Sequence, residues 1–109
     1  DHHIVFDAAS ACLKWFRYPS VKRILAYETL SETDSTINPD INAFRPNVFI
    51  DISSFLENKI DIMKMYRSEL GVFPFPRSEE AIRSLAALRG TNAGFKAAEA
   101  FMLLKERIE

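Results

Sequence analysis

The sequence predicts an α/β layer architecture, and three observations carry that expectation. From Ile4 to Arg17 polar and apolar residues segregate at steps of three and four, the spacing of an amphipathic helix. Two short runs, Ile24-Leu25-Ala26-Tyr27 and Asn47-Val48-Phe49-Ile50-Asp51-Ile52, are apolar, β-branched or aromatic and read as strands. Ser54 and Ser78 stand where two further helical stretches begin. Helices alternating with short apolar strands argue for parallel pairing with both faces covered. Two or three such strands need neighbours at their edges, so the chain reads as part of a larger sheet.

The elements follow in order. In the first helix Asp7, Ser10, Lys14 and Arg17 line the polar side, and Ile4, Ala8, Ala11, Cys12, Trp15 and Phe16 the apolar one. Pro19 disfavours helical geometry at Tyr18 and stops it. A strand is expected within Val21 to Tyr27. Between Glu28 and Asn47 the sequence has no period and carries Pro39 and Pro46, which predicts a long loop, either a functional lid or a plain connector. After the second strand, Ser54 and Glu57 form a capping-box pattern. The helix they open carries Phe55, Leu56, Ile60, Met63, Tyr66 and Leu70 at helical spacing, with Gly71 as terminator. Past Pro74-Phe75-Pro76, Ser78 caps a helix with Glu79 and Glu80 in its first turn and Ala81, Ile82, Leu85 and Ala86 on its buried side. Ala98 to Leu104 is helical by propensity.

The chain has 109 residues, 14 basic and 15 acidic, for a net charge of −1. That length allows one core, burying about two-thirds of the unfolded surface. Without a basic block, nucleic acid is not an expected partner. No stretch approaches the roughly 18 apolar residues of a transmembrane helix, so a membrane is not expected either. The single cysteine, Cys12, lies on the apolar side of the first helix, which predicts a buried free thiol in a reducing, cytoplasmic compartment. The chain opens on Asp1-His2-His3 without an initiator methionine, and the helical pattern starts at once, so the start is expected to be a cut.

Three groups of residues are candidates for chemistry. Asp1, His2 and His3 bring ligand-type side chains together, since a carboxylate beside a histidine fixes its tautomer while the other ring nitrogen binds metal. The same residues also fit an N-cap and a tag remnant. Glu28, Ser31 and Thr33 lie where a strand meets the long loop, the edge at which open α/β sheets place ligands, and suit a polyhydroxylated substrate or a solvated loop equally. Arg77, beside a helix N-terminus, suits an anion or a sugar hydroxyl, or a surface position.

Read in order, these segments form a pattern. Asp1-His2 precedes an alanine-rich helix ending in Arg17-Tyr18-Pro19, and Tyr27-Glu28-Thr29-Leu30-Ser31-Glu32-Thr33 follows. Then come Phe44-Arg45-Pro46-Asn47-Val48-Phe49-Ile50-Asp51-Ile52-Ser53 with Lys59 downstream, and Tyr66-Arg67-Ser68-Glu69. Pro76-Arg77-Ser78, Arg89-Gly90 and Ala98-Glu99-Ala100-Phe101 complete it. The whole chain resembles the C-terminal portion of the LmbE-like, or PIG-L, family of zinc-dependent N-acetylglucosaminyl deacetylases.

The resemblance implies a Rossmann-like three-layer fold of which residues 1–109 are the C-terminal half of one domain: helix, strand, long loop, strand, helix, helix and terminal segment. It implies a hydrolase that removes an N-acetyl group from a small amino-sugar conjugate, and leaves a homo-oligomer open. One zinc is implied, bound by His2, with Asp1 counted among the catalytic residues as the carboxylate beside it. The other ligands and the general base belong to a His-Pro-Asp-Asp-Glu motif that these residues lack, so the 109 residues alone are not expected to catalyse. Glu28, Ser31, Thr33 and Arg77 are the implied substrate contacts. Phe75 departs from the histidine that relatives commonly carry, which leaves Arg77 as the contact there. The family also closes the Ala98-Glu99-Ala100-Phe101 segment as a strand, against its helical propensity. The competing function is a non-catalytic sugar-binding or interaction module of the same fold, and a generic α/β domain with a tag remnant is a third.

Overall fold

The computed structural model describes residues 2–33 and 43–109. The chain is mixed α/β: helix α1 (His2–Ser10), a 3-10 turn (Ala11–Leu13), strand β1 (Arg23–Tyr27), strand β2 (Val48–Asp51), helix α2 (Leu56–Lys64), helix α3 (Glu79–Thr91) and strand β3 (Ala98–Glu106). The sheet has the order β1-β3-β2. Two compact units divide the chain, one of residues 1–26 and 103–109, the other of residues 27–102.

The second unit has a core. Ile60 of α2, Ile82 and Ala86 of α3, and Ala97, Ala98 and Ala100 are its buried apolar residues. β2 pairs with β3 antiparallel, in the register Val48↔Phe101, Phe49↔Ala100, Ile50↔Glu99 and Asp51↔Ala98. The expectation of parallel pairing is thereby corrected. Short apolar runs identify strands without giving their direction, and here two helices, α2 and α3, separate β2 from β3.

The helix that propensity predicts over Ala98 to Leu104 is a strand, as the family resemblance implied. Its burial alternates, with Ala98 and Ala100 buried and Glu99 and Phe101 half-buried, the two-residue period of a pleated chain. Ladder pairing with β2 and burial of two small side chains outweigh a helix preference of a few tenths of a kcal/mol per residue.

The capping box is not formed. The N-cap of α2 is Phe55, without a side-chain cap, because Ser54 sits in the turn before it and the Glu57 carboxylate is taken by Arg83 at 2.6 and 2.8 Å. The helix also ends at Lys64 rather than running to Leu70: the amides of Met65 and Tyr66 close tight turns onto the carbonyls of Ile62 and Met63. Gly71 is therefore not its terminator. Ser78 does cap α3, its hydroxyl accepting from the Ala81 amide at 3.1 Å.

In the first unit none of the described residues is buried. The apolar side of α1 is open, with Ile4, Val5 and Phe6 all more than half exposed, and Cys12 is exposed too, so the expected buried thiol is corrected. The helix expected to reach Arg17 stops earlier because Lys14 takes an extended backbone, ψ 99°; a separate turn follows, in which the Lys14 carbonyl accepts from the amides of both Arg17 and Tyr18 at 3.0 Å. Polar ties link the ends of this unit: the Arg107 amide donates to the Lys22 carbonyl at 2.7 Å, Arg107 Nη1 to the Pro19 carbonyl at 3.2 Å, and Lys22 pairs with Glu109 at 2.6 Å. No helix among the described residues is long and apolar enough to cross a membrane.

Candidate functional site: a cleft around Glu28 and Arg89

At the end of β1 the chain passes from Tyr27 to Glu28 into a turn. There the Thr33 hydroxyl donates to the Thr29 carbonyl at 2.9 Å and accepts from the Thr29 amide at 3.2 Å. Ser31 takes a left-handed backbone, φ 68°, a conformation costly for a residue with a β-carbon and tolerated where surrounding contacts enforce it. The turn leaves Glu28 facing α3, and Arg89, in the last turn of that helix, meets it.

Arg89 Nε donates to one Glu28 carboxylate oxygen at 3.0 Å and Nη2 to the other at 2.6 Å. Both side chains are mostly buried, 11% exposed for Glu28 and 19% for Arg89. The guanidinium also lies 6.0 Å from the centre of the Phe44 ring, within cation–π range. Its hydrogen bond to Glu28 raises the pKa of Arg89 above the ordinary arginine value, against a smaller opposing effect of burial.

The pair borders a cleft of about 460 Å³. Lys59 of α2 and Glu99 of β3 form a second ion pair on its lining, 2.9 Å apart, and Tyr27, Leu85 and Phe101 add apolar surface. The four charged groups sum to zero. Such a wall offers donors and acceptors on an apolar support, the combination found in sites for polar small molecules.

Of the residues singled out from the sequence, Glu28 lines the cleft, and Ser31 and Thr33 shape the turn that carries it. Arg77 is placed differently. It is not part of the cleft lining; its Nη1 donates to Glu69 at 2.9 Å and its guanidinium lies 5.3 Å from the centre of the Phe75 ring. Its Nε is buried without a hydrogen-bond partner among the described residues. His2 is exposed on α1, Asp1 lies outside the described residues, and so does the 34–42 part of the expected long loop. Lys59, Arg89 and Glu99 appeared in the sequence only as family-like positions. No local spacing could have assigned them to one cleft, since Arg89 is 61 residues from Glu28.

A catalytic zinc takes three protein ligands and a water. Among the described residues no three histidine, cysteine, aspartate or glutamate side chains group so as to hold a metal ion. No family model matches the chain, and no curated protein or solved structure matches it.

Proposed function

We propose that the chain is part of a zinc-dependent hydrolase that removes the N-acetyl group from a GlcNAc-type amino-sugar conjugate. The observation that carries the proposal is the Glu28–Arg89 pair at the edge of its cleft. It is a neutral, hydrogen-bond-rich wall where the chain leaves β1 for the turn that carries Ser31 and Thr33, the segment proposed to contact the sugar. The ordered run of LmbE-like motifs supports the same assignment. His2 is the one metal ligand proposed from this chain, with Asp1 as the carboxylate that orients it, and the remaining ligands come from sequence outside these 109 residues. Cytoplasmic location belongs to the same proposal.

The cleft serves equally a non-catalytic sugar-binding module, and zinc separates the two. In the full-length protein, zinc affinity is measured by competition with a chelator, and acetate release from N-acetylglucosamine conjugates is followed in parallel. The deacetylase predicts stoichiometric zinc, and His2→Ala lowers zinc affinity by orders of magnitude, as expected for one of three ligands. Unchanged affinity in that variant, or an encoded chain with no His-Pro-Asp-Asp-Glu motif upstream of Asp1, overturns it.

A further inference from the structure

We infer that Glu28 and Arg89 together read a vicinal diol on a neutral pyranose ring, one hydroxyl donating to the carboxylate while its neighbour accepts from the guanidinium. The inference rests on the proposed sugar-facing role of the cleft and adds the group that is recognised.

Three observations carry it. First, the ion pair leaves capacity unused. A carboxylate offers about four lone-pair sites and a guanidinium five N–H donors, and the pair consumes two of each. Acceptor and donor capacity therefore remains on two adjacent groups that both line the cleft, and a diol offers a donor and an acceptor on neighbouring carbons. Second, the pair is held before any ligand arrives. It joins the turn after β1 to the end of α3, and Phe44 lies against the guanidinium, so little side-chain freedom remains to be lost on binding. Third, the lining discriminates by charge. Glu28 and Glu99 are balanced by Arg89 and Lys59; an anionic ligand would meet two carboxylates and a cationic one two cations already in ion pairs. A neutral ring with polar edges and apolar faces meets neither penalty, and Phe101 and Leu85 supply apolar contact.

The test is binding to the full-length protein by calorimetry or ligand-observed NMR. The probes are N-acetylglucosamine, its 3-deoxy and 4-deoxy analogues, and methyl glucoside, which keeps the diol and lacks the acetamide. Unmodified protein is expected to bind the 3-deoxy or the 4-deoxy sugar at least about tenfold more weakly than the parent, because a desolvated donor or acceptor site on the pair is left unfilled. Methyl glucoside should compete for the site. Glu28→Gln and Arg89→Lys should weaken the parent sugar and leave the affected deoxy sugar nearly unchanged.

Equal binding of parent and deoxy sugars to the unmodified protein overturns the inference, as does absence of binding by any of the four probes, and neither result depends on a variant folding. The deacetylase proposal fails separately. Diol-dependent binding without zinc or acetate release sinks that proposal and keeps this one, whereas acetate release with no preference for the diol does the reverse.

Discussion

Glu28 and Arg89 stand 61 residues apart in the sequence and meet through two parallel hydrogen bonds of 3.0 and 2.6 Å, the least exposed ion pair among the described residues. Exposed pairs such as Lys22–Glu109 are screened by water and contribute little. The Glu28–Arg89 pair is different because each group, once deprived of the other, is left partly desolvated. Arg89→Ala is expected to lower unfolding stability by about 2 kcal/mol, between the values of exposed and fully buried pairs. Urea denaturation of Glu28→Ala, Arg89→Ala and the double variant checks it, and additive effects would contradict the coupling.

Ser78 is 2% exposed and caps α3 by accepting from the Ala81 amide. Ser78→Ala leaves that amide without its acceptor and is expected to cost about 1–2 kcal/mol, with Ser78→Gly milder by about half or more. Thermal or urea unfolding of the two variants should show that order.

Gly90 is buried within the last turn of α3. A β-carbon there would run into the Phe95 carbonyl oxygen and lie 3.1 Å from the Ala97 amide nitrogen, both backbone atoms of the segment leading into β3. Alanine's helix preference favours the substitution by about 1 kcal/mol, yet the clash dominates, and Gly90→Ala should destabilise by about 2 kcal/mol or more. Loss of hydrogen-exchange protection at the amides of the β2–β3 ladder would report the same displacement. A neutral or stabilising result would mean that the turn gives way easily.

Acid should weaken the α2–α3 contact. Arg83 donates two hydrogen bonds to Glu57 and lies 3.8 Å from Glu79, which also pairs with Lys64 at 3.0 Å. The hydrogen bond from Arg83 holds the Glu57 carboxyl below its ordinary value of 4.5, and that from Lys64 does the same for Glu79. A carboxylate depressed on folding contributes stability above its ordinary value and loses it as pH falls through the lower folded value. Melting temperature should therefore fall as the pH drops below 4.5, and Glu57→Gln should flatten that part of the profile. Added salt should shrink the difference, since these groups are exposed.

The sequence by itself determined the features that depend on neighbours along the chain. The amphipathic start of α1, the two strands with their apolar runs, the Ser78 cap with Glu79 and Glu80 behind it, and the buried side of α3 at Ile82 and Ala86 follow from periodicity and local hydrogen-bonding chemistry over a few residues. Only the tertiary structure decided what depends on partners far along the chain. Glu57 gave up its capping box because Arg83 offers two charged donors where the box offers one backbone amide. The segment from Ala98 became a strand because β2 supplies a ladder and the small side chains of Ala98 and Ala100 are buried there. Strand direction and the joining of Glu28, Lys59, Arg89 and Glu99 around one cleft belong to the same class. Each is a competition between a local preference worth tenths of a kcal/mol and a long-range contact worth more, on the order of 1 kcal/mol or above.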